Sequence, residues 1–197
     1  MKRVAILLVF IILMTSLASA ELIFTQQPED LYNLGELIRI PIKIATTEGV
    51  ANFFSMELIC NGIKTEVHKQ YIFLSLGEEQ EINAAIPLIT NFIGRSTGVC
   101  SIKAILGEQY TLTKELTISD RINANAEIEK QDFNPEEPII IKGNAVKENG
   151  ENVKGFADLD LIRKGESILK ITDTVKNGYI FLNVSAPKDA KAGEYIA

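Results

Sequence analysis

The sequence predicts an all-β protein: two tandem β-sandwich modules behind an N-terminal export signal, the second module incomplete. Three observations carry this expectation. From Glu21 onward the chain is filled with short runs of alternating apolar and polar residues, broken by Gly, Asn and Pro, with no sustained helical period. The same lead-in to an isoleucine-rich strand is written twice, as YNLGELIRIPI from Tyr32 and as FNPEEPIIIKG from Phe133. The first twenty residues, MKRVAILLVFIILMTSLASA, have the three parts of a secretory signal.

Within that leader Lys2 and Arg3 form the charged start, Val4 to Leu13 the apolar run, and Ala18-Ser19-Ala20 a small-residue cleavage site. The apolar run falls short of the roughly 20 residues that a spanning helix needs, so cleavage is expected rather than anchoring. No Cys follows the run, which argues against a lipid anchor. Membrane contact is expected only through this leader or through a C-terminal anchor beyond Ala197. Of 20 basic and 26 acidic residues only Lys2 and Arg3 lie in the leader, so the remainder carries 18 against 26, a net charge of −8. An acidic chain with scattered lysines and no basic stripe repels phosphate backbones, and nucleic acid is excluded as a partner.

The leader set aside, 177 of the 197 residues remain, enough for one large domain or two of about a hundred each. The repeated lead-in favours two, expected at 21–120 and 121–197, with the polar stretch Ser119 to Asn125 as the junction. In GELIRIPIKI the four isoleucines Ile38, Ile40, Ile42 and Ile44 share one face, the pattern of a half-buried strand. ANFFSMELIC follows, and Asn61-Gly62 at its end is the central pair that suits a type I′ hairpin. IKTEVHKQYIFLSL, QEINAAIPLI, VCSIKAIL and YTLTKELTI each read as a strand. In the second half NAEIEK, PIIIKGNAV, GFADLDLIRKG, ESILKITDTV, NGYIFLNVS and GEYIA do so too, with a turn at Asn149-Gly150. Because GEYIA stops inside an apparent strand, about six strands stand where a sandwich wants seven.

Two cysteines alternate into inward faces: Cys60 with Phe54, Met56 and Leu58, and Cys100 with Ile102, Ala104 and Leu106. In an oxidising compartment an even, inward-facing pair is most simply a disulfide. The alternative is two buried thiols acting as small hydrophobes. Two Cys and a single His do not fill a tetrahedral metal shell.

The second half, through FNPEEPIIIKGNAVKENGENVKGFADLDLI and NGYIFLNVSAPKDAKAGEYIA, resembles the extracellular immunoglobulin-like modules of bacterial and archaeal surface proteins, including macroglobulin-type modules. Gly150, Val153, Gly178, Pro187, Ala190, Gly193 and Tyr195 stand at the places of that family's pattern, while Glu136 replaces its usual Gly and Ile180 its usual Phe. The resemblance spans about Asn125 to Ala197 and implies an immunoglobulin-like sandwich, an architecture shared by these families rather than an activity. The first module shares YNLGE and the strand pattern, but the chain has no Trp, the core hallmark of antibody domains.

Candidate site residues are few. His68, the only histidine, is expected to face solvent on a strand, with no serine or aspartate pattern to make a triad. Asp158, Asp160 and Asp173 are weak calcium candidates against the plainer reading of a solvated strand face, because no calcium-loop spacing accompanies them. Glu78, Glu79 and Glu81 read as a charged sheet edge. Asn183-Val184-Ser185 is a glycosylation sequon, whose use requires that Asn183 escape packing beside Phe181 and Tyr179. With 7% aromatic residues the composition offers no evident sugar-stacking platform. No catalytic residue and no cofactor is expected. The expectation is a non-enzymatic secreted or cell-surface protein, a stalk, envelope component or adhesion module with surface proteins or glycans as partners. The alternatives are an accessory region of an exported peptidase or glycosidase whose catalytic domain lies beyond residue 197, and a glycan- or calcium-binding module.

Overall fold

The computed structural model describes residues 20–197; the expected leader therefore lies outside the described residues, save Ala20. The chain divides at Ser119 and Asp120 into two compact units. In the first, β1 (Ala20–Phe24), β3 (Leu37–Thr46) and β6 (Glu79–Pro87) form an antiparallel sheet in the order β1-β3-β6. It packs on a six-stranded sheet in which β2 (Leu31–Asn33), β9 (Leu116–Ser119), β7 (Gly98–Leu106), β4 (Val50–Cys60) and β5 (Ile63–Leu74) are neighbours in that order. There β8 (Gln109–Leu112) also pairs with β7. A single helical turn, α1 (Thr90–Ile93), links β6 to β7. The chain changes sheet from β3 to β4, from β5 to β6 and again from β6 to β7. That is the immunoglobulin-like sandwich the sequence predicts.

Alternation drives this arrangement. Ile38, Ile40, Ile42 and Ile44 are at most 1% exposed and meet Phe54, Met56, Leu58, Ile102 and Ala104 in one core. Each of the isoleucine, phenylalanine, methionine and leucine side chains contributes roughly 1.5 to 3 kcal/mol of transfer free energy. Asn61 and Gly62 take φ of 49° and 81°, closing the β4–β5 hairpin with the two left-handed residues of a type I′ turn. YTLTKELTI forms two strands instead of the one expected. Thr113 breaks it: its N–H donates to the Ile102 carbonyl and its hydroxyl accepts from the Ile102 N–H, both at 2.9 Å. β8 thus covers the late half of β7, and β9 its first three residues.

In the second unit β10 (Ile122–Ile128), β11 (Pro138–Lys147) and β14 (Tyr179–Ser185) form a sheet in the order β10-β11-β14, and β12 (Gly155–Arg163) pairs with β13 (Glu166–Val175). Ile139, Ile141, Leu159, Leu161, Ile180 and Leu182 make its core. The order β10-β11-β14 repeats β1-β3-β6, and the hairpin β12–β13 takes the place of β4–β5. At Gly143 a Cβ would lie 2.1 Å from the Asn125 carbonyl oxygen, so glycine is what lets β10 lie this close to β11. GEYIA, expected as a strand, makes a single bridge, Ile196 to Ile162. Tyr195 is instead tied locally: its hydroxyl donates to the Lys191 carbonyl, and the Arg163 guanidinium lies 5.6 Å over its ring.

The repeated lead-in is the same turn written twice. The Asn33 carbonyl accepts the Glu36 N–H while the Glu36 carboxylate accepts the Asn33 N–H; Asn134 and Glu137 exchange the same two bonds. The third turn residue has positive φ in both, Gly35 at 89° and Glu136 at 66°. With Pro135 at the second position this is type II geometry. Each turn is then clipped to the far end of the partner strand by a reciprocal pair of bonds. Gly35 and Glu36 bond to Leu88; Glu136 and Glu137 bond to Ala186.

Candidate interaction surface

Cys60 and Cys100 form a disulfide, as the sequence predicts. They are direct partners across β4 and β7, with Cα atoms 4.1 Å apart, so the bond joins neighbouring strands of one sheet rather than the two faces of the sandwich. Both residues are buried, and the bond clamps β4 to β7 from the core side at the end of their pairing, beside the Asn61-Gly62 turn.

The opposite side of that sheet carries what composition alone does not reveal. β4 alternates regularly, sending Phe54, Met56, Leu58 and Cys60 inward and Phe53, Ser55 and Glu57 outward. Its partner β5 does not. A bulge opposite Met56 and Glu57 places both Val67 and His68 on the core side, and from there the phase is reversed. Ile72 and Leu74 turn inward, while Tyr71 and Phe73 turn out to solvent at 59% and 70% exposure. Without the bulge the two aromatics would continue the phase of Val67 into the core.

The outward aromatics cluster. Phe53 and Tyr71 are direct partners whose rings meet edge to face at 5.4 Å, and Phe73 lies opposite Ala51. Ser55 separates Phe53 from the next row, where Ile105 of β7 stands opposite exposed Tyr110 of β8. Charge borders the rings on the Ser55 side. Lys69 lies 5.8 Å over Phe53 and pairs with Glu66 at 3.1 Å, while Lys103, across from Glu57, lies 4.2 Å over Tyr110. The result is a run of exposed aromatics on β4 and β5, with a row of lysines and glutamates along one side of it and Tyr110 of β8 beyond Ile105.

The remaining predicted residues fall as follows. His68 does not face solvent, a correction to expectation: the bulge turns it inward, its ring packs 5.8 Å from Phe54, and its Nε2 is buried without a hydrogen-bond partner. Asp158 and Asp160 share the outer face of β12, but Asp173 stands opposite Ala157 on the other face, because the pleat separates odd from even positions. The two outer aspartates accept hydroxyl bonds from Thr172 and Ser167, and Asp160 also lies 3.7 Å from the Lys170 ammonium. Among the described residues no group of three or more His, Cys, Asp or Glu could hold a metal. Glu79 and Glu81 line β6, the edge of its sheet, where Glu79 pairs with Lys43 at 2.7 Å; Glu78 accepts the Ser75 N–H in the preceding turn. Asn183 is exposed on β14 together with Phe181 and Tyr179, whose rings stack 13° from parallel at 6.4 Å. No helix among the described residues is long and apolar enough to cross a membrane.

No protein-family model matches the chain, and no curated protein does. Among solved structures it is similar to a β-glucosidase from Listeria innocua, at 14% identity and a TM-score of 0.42 over 52% of this chain and 16% of that one. A CARDB domain from Pyrococcus furiosus, solved in complex with di-metal ions, matches at 12% identity and a TM-score of 0.37. That match covers 54% of this chain and all of the domain. The native conformation of Escherichia coli alpha-2-macroglobulin matches 88% of this chain with 12% of its own, at 14% identity and a TM-score of 0.34.

Proposed function

We propose that the chain is a non-enzymatic protein exported to the cell surface or medium, where its sandwich units serve adhesion through the outer face of the six-stranded sheet. The observation that carries this reading is the solvent-facing cluster of Phe53, Tyr71, Phe73 and Tyr110. Exposing that much aromatic surface costs solubility unless something covers it. The occupant we assign is the same face of a second copy. The rings that would stack on a sugar are partly taken, since lysines already lie over Phe53 and Tyr110. The lysines and glutamates along one side of the aromatics, Lys69, Lys103, Glu66 and Glu57, let a two-fold axis set lysine against glutamate beside a shared apolar contact. The disulfide and the leader support an oxidising, extracytoplasmic setting.

Bead aggregation tests the reading. Beads coated with the full chain should clump, and the double variant Phe53→Ser, Tyr71→Ser should stay dispersed while keeping its disulfide and its melting transition. Wild-type beads that remain dispersed, or that clump only when a polysaccharide is added, would overturn homophilic adhesion.

A further inference from the structure

From the placement of Asn183 we infer that it is an N-glycosylation site whose first sugar rests on Phe181. The inference rests on the export reading above. Asn183, Val184 and Ser185 satisfy the acceptor pattern, with no Pro between. What the sequence left open was exposure, because Asn183 shares a strand face with two large rings. The structure places all three side chains on the solvent side: Tyr179 is 48% and Phe181 41% exposed, Asn183 and Ser185 are exposed, and Ile180 and Leu182 between them are buried. Among the described residues β14 is the last strand of the β10-β11-β14 sheet, with β11 as its strand partner, so the acceptor segment lies at that sheet's edge.

The geometry beside the acceptor favours a sugar. Residues two apart on a strand lie roughly 7 Å from one another on the same face, about the span of an amide linkage and one pyranose ring. A sugar on Asn183 Nδ2 can thus lay its apolar C–H face over Phe181. Phe181 is itself held by stacking on Tyr179, which fixes the ring it offers. Opposite them on β11 stand Ile140, Lys142 and Asn144, and the Lys142 ammonium bonds to Glu129. The reaction is transfer from a lipid-linked diphospho-oligosaccharide. A bond forms between Asn183 Nδ2 and the anomeric carbon, the bond from that carbon to the diphosphate oxygen breaks, the amide gives up one proton to the transferase base, and the lipid diphosphate leaves.

The test is peptide mass spectrometry on the full chain produced in a host that glycosylates exported proteins, once with its own leader and once with the leader of a known secreted protein. The expected result is a glycan on the peptide containing Asn183, lost in Asn183→Gln and in Ser185→Ala. Enzymatic removal of the glycan should lower the melting temperature of the wild type and leave that of Phe181→Ala unchanged. A glycan only behind the borrowed leader sustains the site and overturns export by the native leader. An unmodified Asn183 in chain secreted by either leader overturns the site. A glycan whose removal destabilises Phe181→Ala as much as wild type overturns the stacking.

Discussion

Gly35 and Glu136 hold the same position in two copies of one turn, with φ of 89° and 66°, yet only the first is a glycine. Both N–H groups bond to the residue just past the end of the partner strand, Leu88 in one unit and Ala186 in the other, so neither turn can relax without releasing its sheet. A left-handed non-glycine costs roughly 1 to 2 kcal/mol, partly offset by the greater chain entropy glycine loses on folding. Glu136→Gly should therefore stabilise the second unit by about 0.5 to 1 kcal/mol. Gly35→Ala should destabilise the first by about 1 kcal/mol through backbone conformation alone, since an added Cβ there meets nothing within 4 Å. Calorimetry of the full chain, with the two transitions followed separately, checks both signs.

The Cys60–Cys100 bond closes a segment with a sequence separation of 40 and ties β4 to β7 at one end of their pairing. Chain-entropy reasoning gives about 4 kcal/mol for a loop of that size. Reduction should lower the denaturation midpoint of the first unit strongly and leave the second unit where it was. Thiol labelling of denatured, unreduced secreted protein should give no signal; two labels per chain would rule the bond out.

The turn of the second unit should also be acid-sensitive. The Asn134 N–H, joined by the Lys130 ammonium, holds the Glu137 carboxyl below the usual carboxylate range. A carboxylate shifted this way contributes stability that is complete above the ordinary range and is lost as pH falls through the lowered value. Stability of the second unit should accordingly drop on acidification, and Glu137→Gln, which keeps an acceptor without a titrating charge, should be less stable at neutral pH and flatter below it. Denaturant midpoints measured across the acid range decide this. A parallel fall in wild type and variant would contradict it.

The strand pattern, the paired cysteines and the twice-written turn were legible because each is a local rule. Alternation of isoleucines has one inward phase, Asn61-Gly62 demands left-handed backbone, and an Asn followed three residues later by Glu can close its own turn. Where the reading went astray, a local rule met a break that only neighbouring strands reveal. YTLTKELTI keeps Tyr110, Leu112, Leu116 and Ile118 in one phase with only Lys114 against it, yet Thr113 spends both its N–H and its hydroxyl on Ile102 and splits it.

YIFL, from Tyr71 to Leu74, is apolar at every position, so either phase would bury a plausible face, and no sequence period chooses between them. The choice is made by one extra residue opposite β4, which turns Val67 and His68 inward together and sends Tyr71 and Phe73 to water. The same holds at Asn183, where only the packing of Ile180 and Leu182 against β11 and the core determines that the sequon and its two rings face out. Sequence by itself determined the all-β class, the inward cysteines and the two turns, because period and turn chemistry act over a few residues. The tertiary structure decided which aromatics are surface, because the register of one strand on the next is set by pairing across the sheet.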